Sequence, residues 1–145
     1  MHHKILVPIA GDGSSAPVLD YAANLARNLG AELVLLQIIS VVPVDDYFFK
    51  QIQIEEGSAA YKTKAAAEAH LAEVEANLRA QGLTASGTLL ISDKAEAETI
   101  VAYARENDCD LIVVLNQAHT GIGRWLFSSL GEKVRRRSSV PVLFV

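Results

Sequence analysis

The stretch Lys4-Ile-Leu-Val-Pro-Ile-Ala10 decides the fold. It is a continuous aliphatic and β-branched run with no polar residue alternating through it. Strands covered on both faces read this way, as in parallel sheets, whereas a sheet wet on one side alternates. Four further segments read as strands with apolar centres. They are 32–39 with Leu33-Val-Leu-Leu36 at its centre, 84–92 with Leu89-Leu-Ile91, Cys109–Leu115, and Val140-Pro-Val-Leu-Phe-Val145.

Helical patterns fill the spaces between them. Pro17 fits a first helical turn, where its missing N–H has no intrahelical partner. Val18, Ala22, Leu25 and Leu29 then form one apolar stripe, and Gly30 takes the terminating position. The segment from Ser58 to Ala80 is rich in Ala, Glu and Lys, with Ala67, Leu71, Val74 and Leu78 as its stripe. Ala95–Asn107 is a third helix with Ile100 and Tyr103 facing inward, and Ser129 opens a last helix running to Arg137. The order β-α-β-α-β-α-β-α-β predicts an α/β fold: a five-stranded parallel sheet with right-handed crossovers and helices on both faces.

The 145 residues fit one domain spanning 1–145, and half of them are apolar, enough for a core without a staple. The lone Cys109 excludes an internal disulfide framework and any zinc site built on several thiolates. A net charge of −4 argues against a nucleic-acid binder, whose affinity leans on a basic surface. The apolar runs are too short to span a bilayer and nothing reads as a signal peptide, so a cytoplasmic protein is expected.

In an open sheet of this kind, ligands bind beyond the carboxyl ends of the strands where the strand order reverses. Two loops qualify, 10–15 after the first strand and 116–129 after the fourth. Ser129-x-x-Glu132 has the spacing of a capping box, with the alternative of an anion site on the free N–H groups of the helix start. Ser14 and Ser15 have the same two roles open to them, with capping preferred.

The blocks Ile5-Leu-Val-Pro-Ile9, Asp110-Leu-Ile-Val-Val114, Ser129-x-x-Glu132-Lys-Val134 and Val140–Val145, in this order, resemble universal stress proteins along essentially the whole chain. The resemblance implies a Rossmann-like, adenine nucleotide alpha hydrolase-like sheet and a homodimer formed through the last strand. Nucleotide-binding members carry G-x2-G-x9-G-[ST] after the fourth strand. Aligned on Ser129-x-x-Glu132-Lys-Val134, that pattern falls on Leu115, Ala118, Ser128 and Ser129. The spacing is kept, but every glycine is replaced. Leu115 sets a bulky side chain where phosphate or ribose would lie, and Ala118 and Ser128 each add a Cβ.

The family's aspartate after the first strand falls on Ala10, with Asp12 two residues on. Pro8 matches the family proline, either ending the first strand or bordering the pocket. These positions, together with Gly121 and Gly123 as a rearranged phosphate loop, make the candidate nucleotide site.

Around it, Arg124 and Arg135–Arg137 are expected on a solvated face, and Trp125 and Phe127 in packing. Tyr47–Phe49 cover either the pocket or a partner. His70 is expected on the surface. His119 stands in the second loop without a paired nucleophile.

No G-x-S-x-G elbow, Walker lysine motif or HExxH is present. The expected function is a non-catalytic, dimeric regulatory module with an unidentified protein partner, without metal, and with ATP binding weak or lost. An adenine-nucleotide sensor with a rearranged loop, or a weak nucleotide hydrolase using Asp12, are the alternatives.

Overall fold

The computed structural model describes residues 3–9, 15–40, 59–114 and 131–145. The elements are β1 (Lys4–Ile9), α1 (Ala16–Leu29), β2 (Glu32–Ser40), α2 (Ala59–Ala80), β3 (Ala85–Ser92), α3 (Glu96–Glu106), β4 (Leu111–Val114), α4 (residues 131–137) and β5 (Val142–Phe144). The five strands form one sheet in the order β3-β2-β1-β4-β5, and every neighbouring pair is parallel. This is the expected α/β architecture.

The sheet separates two apolar layers. On one face Ile5, Val7, Leu33 and Leu35 pack with Val18, Ala22 and Ala26 of α1 and Leu71 and Leu78 of α2. On the other, Leu6, Val34, Leu36 and Ile112 pack with Ala97, Ile100 and Ala104 of α3 and Val134 of α4. Consecutive residues of β1 therefore enter opposite layers, which is why its sequence is apolar without alternation.

The helices follow their predicted faces with one shift. In α2, Ala67, Leu71 and Leu78 are buried and Val74 is half-buried. In α1 the buried residues are Val18, Ala22, Ala23 and Ala26, while Leu25 is half-buried and Leu29 is exposed. The buried arc lies roughly 50° around the helix from the predicted stripe, at 3.6 residues per turn. Alanines, which let the helix approach the sheet closely, carry this arc, and an apolar-stripe reading gives them too little weight. Gly30 ends α1 in the left-handed region (φ 65°), with its N–H on the Ala26 carbonyl.

The last two strands are shorter than expected. Cys109 is buried but lies outside β4, after Asp108 turns the chain at a φ of 54° and Asp110 donates its N–H to the Lys4 carbonyl (2.8 Å). Before β5, the Ser138 hydroxyl accepts the Val140 N–H and donates to the Val140 carbonyl. That local turn holds residues 138–140 out of the ladder.

Candidate functional site at the strand-order switch

All strand carboxyl ends lie on one rim because the sheet is parallel. From β1 the chain builds outward through β2 to β3. It then crosses to the other side of β1 to lay down β4 and β5. The reversal falls between β1 and β4, the place where open sheets of this kind bind their ligands.

Pro8 stands beside that switch point. The His3 carbonyl accepts from Glu32 and the Lys4 carbonyl from Asp110. Backbone groups alternate sides along a strand, so the odd residues of β1 face β2 and the even ones, Pro8 included, face β4. Towards β2 the pairing runs without a break to Ile9↔Gln37. Towards β4 it stops after Leu6↔Ile112. The next rung would run from the N–H of residue 8 to the Val113 carbonyl, and proline has no such donor. Pro8 therefore does not end β1, one of its two expected roles. It ends only the ladder to β4, on the side of the strand-order switch.

Of the other expected site residues, Ala10, Asp12, Leu115, Ala118, Gly121, Gly123, Ser128 and Ser129 lie outside the described residues. So do Ser14, Tyr47–Phe49, His119, Arg124, Trp125 and Phe127. The described chain brackets the two loops after β1 and β4: Ile9 and Val114 lead into them, and Ser15 and Gly131 follow. Ser15 is buried at the start of α1, and its carbonyl accepts the Leu19 N–H, but its side chain makes no capping bond to the helix. The preferred capping role for Ser15 is thus not realised, because its α-region backbone (φ −85°, ψ −1°) departs from the extended conformation of a capping residue.

Within α4 the Glu132 carboxylate is held by Arg135, whose Nε and Nη2 both donate to it, with Arg136 Nε 3.6 Å away. The hydrogen bond from Arg135, with the two guanidinium charges, holds the Glu132 carboxyl below its usual range. Arg135, Arg136 and Arg137 are exposed, as expected of a solvated face. His70 departs from expectation. It is half-buried in a cleft of about 220 Å³ between α1 and α2, shared with Ser15, Asp20 and Asn77.

At the opposite rim of the sheet, burial pushes the Cys109 thiol up from its ordinary value, which makes it a poor nucleophile. Among the described residues no group of three or more His, Cys, Asp or Glu is placed to hold a metal ion, and no helix is long and apolar enough to cross a membrane.

One residue near the crevice was not singled out from the sequence. Gln37 of β2 is only 5% exposed, and its Oε1 has no hydrogen-bond partner among the described residues. The available signal was a lone amide inside the apolar run Leu33–Ile39.

Comparison with known proteins agrees with this architecture. The model of the universal stress protein family matches residues 1–145. Universal stress protein YxiE of Bacillus subtilis is 30% identical over 156 positions, covering 100% of this chain and 99% of that protein. A universal stress protein solved in complex with cAMP superimposes with a TM-score of 0.70 at 24% identity, over 99% of this chain and 95% of that one. The universal stress protein from Archaeoglobus fulgidus in complex with dAMP gives a TM-score of 0.66 at 22% identity, over 98% and 96%.

Proposed function

Because the chain belongs to the universal stress protein family, we propose that it works as a non-catalytic, dimeric regulatory module whose switch-point crevice has lost its grip on a nucleoside triphosphate. One observation carries the reading. The spacing G-x2-G-x9-G-[ST] is preserved, yet its glycine positions hold Leu115, Ala118 and Ser128. A backbone that must approach phosphate oxygens tolerates no leucyl side chain in the way, and each added Cβ disfavours the positive φ that glycine allows. The lack of a paired catalytic carboxylate or an activated nucleophile in the sequence supports a binding role over a hydrolytic one.

The dimer rests on β5, an edge strand. Leu143 and Val145 face β4, so Val142 and Phe144 turn their backbone groups to the free side. Such an edge is normally paired or covered.

A second reading is favoured by the relatives solved with cAMP and with dAMP. Here the crevice takes a nucleoside monophosphate, with Gly121, Gly123, Ser128 and Ser129 around the single phosphate and Pro8, Ala10 and Asp12 near the base.

Calorimetric titration tests the proposal. Mg-ATP at millimolar concentration should give no saturable heat and leave the melting temperature unchanged, since a ligand that prefers the native state must raise it. Micromolar ATP affinity, or phosphate release above background, would overturn it. Saturable binding of AMP without binding of ATP would establish the second reading.

A further inference from the structure

The described sheet has a second edge, at β3, and it differs from the edge at β5. β3 runs for 8 residues, Ala85–Ser92, and pairs with β2 along its whole length. β5 has 3 residues and follows Pro141. The pairing fixes which groups of β3 face outward. The Thr84 carbonyl accepts the Leu33 N–H, so the even residues face β2, while Ala85, Gly87, Leu89 and Ile91 face away from it. Arg79 Nε of α2 donates to the Ala85 carbonyl at 3.0 Å. The outward N–H and C=O groups of Gly87, Leu89 and Ile91 have no partner among the described residues. Native edges are guarded by shortness, charge, a bulge or proline. β3 carries no charged residue and no proline, its register is unbroken, and Ile91 is 42% exposed.

We propose that β3 is a docking edge for a short, extended, uncharged segment of a protein partner, which adds to the sheet beside residues 87–91. The free groups select the occupant. They recur every second residue, about 6.8 Å apart, and an extended backbone matches that spacing. Side chains of an added strand alternate between the two faces. Those on α3's face meet a cleft of about 540 Å³ between β3 and α3, lined in part by Leu90 and Val101. Its acids, Asp93, Glu98 and Glu106, balance its cations, Lys94, Arg105 and Arg137, so cleft and edge together suit a neutral segment. Arg79 closes the edge at Ala85, which keeps that segment short. A second copy of this chain is the poorer occupant. With β5 given to a second copy, self-pairing at β3 as well would join copies edge to edge without closure. That choice rests on the β5 dimer proposed above.

The test titrates the neutral peptide acetyl-Thr-Val-Thr-Val-Thr-amide into the full-length protein and reads amide hydrogen exchange by NMR. Without peptide, the amides of Gly87, Leu89 and Ile91 should exchange freely, and those of Ser86, Thr88 and Leu90, which face β2, slowly. Saturating peptide should slow the first set about ten-fold or more and leave the second unchanged. The fully N-methylated peptide has no donors and should protect neither set. Ile91→Pro removes one outward donor at an exposed position and should weaken binding of the unmodified peptide about five-fold.

Protection of Gly87, Leu89 and Ile91 without peptide, at every protein concentration, would mean that the chain covers its own edge. Protection that fades on dilution would make a second copy the occupant. Either result overturns the proposal. So does a peptide that protects no amide of β3, or one that protects equally well when N-methylated. Should Ile91→Pro fail to fold, the N-methylated peptide carries the same comparison. The β5 dimer is judged by sedimentation, so its failure is distinguishable from a failure here.

Discussion

Gly87 of β3 has no side chain, and Leu71 of α2 fills the space. A Cβ built there would stand 2.9 Å from both Cγ and Cδ1 of Leu71 and 3.2 Å from a Glu75 carboxylate oxygen. Leu71 is itself buried, so it has little room to yield. Gly87→Ala should therefore destabilise the protein by about 1–3 kcal/mol, the usual cost of overpacking. The midpoint of urea unfolding measures this, and an unchanged midpoint would contradict it. Glu132 gives a second test at this scale. Its carboxyl is held below the ordinary value by the hydrogen bond from Arg135. A lowered folded-state pKa contributes stability above the unfolded value, and that contribution disappears as the pH falls through the folded one. Arg135→Ala should move the Glu132 titration, followed by NMR, upward toward the usual carboxylate range. The difference in stability between Arg135→Ala and wild type should shrink in acid. A titration that does not move would contradict the pairing.

At the scale of elements, β1 shows what a sequence does and does not reveal. Its unbroken apolar run identified a strand covered on both faces, while apolar stripes at helical spacing marked the helices between the strands. The hydrogen-bonding side of each residue in β1 is not written in that pattern, because it depends on which strands lie beside it. Only the sheet order shows that Pro8 faces β4 and interrupts that ladder alone. Helix faces were legible wherever large side chains marked them, as with Leu71 and Leu78. They were less legible in α1, where alanines carry the contact. Pro8→Ala tests the ladder argument directly. The amide introduced at position 8 should become protected from hydrogen exchange by bonding to the Val113 carbonyl, joining β1 to β4 one rung further. A freely exchanging amide there would show that something other than the missing donor parts the strands.

At the scale of the molecule, the topology of the described residues places an edge strand at β5 and the strand-order switch between β1 and β4, and the proposed function uses both. The replaced glycines could be read in the sequence because their spacing survives. Gln37 was harder to read, since a single amide in a strand gains meaning only when its burial and its neighbours are known. The edge has its own test. Val142 turns its N–H away from β4, so Val142→Pro removes an outward donor and leaves the internal ladder intact. Sedimentation should then find a folded monomer in place of a dimer, and a persisting dimer would move the interface elsewhere. The central claim is that the crevice no longer grips a triphosphate. Native mass spectrometry of the protein as first purified, with no nucleotide added, tests it most directly. The account predicts species at whole multiples of the 15.6 kDa chain with no ATP attached, and a species that retains ATP through purification would contradict it.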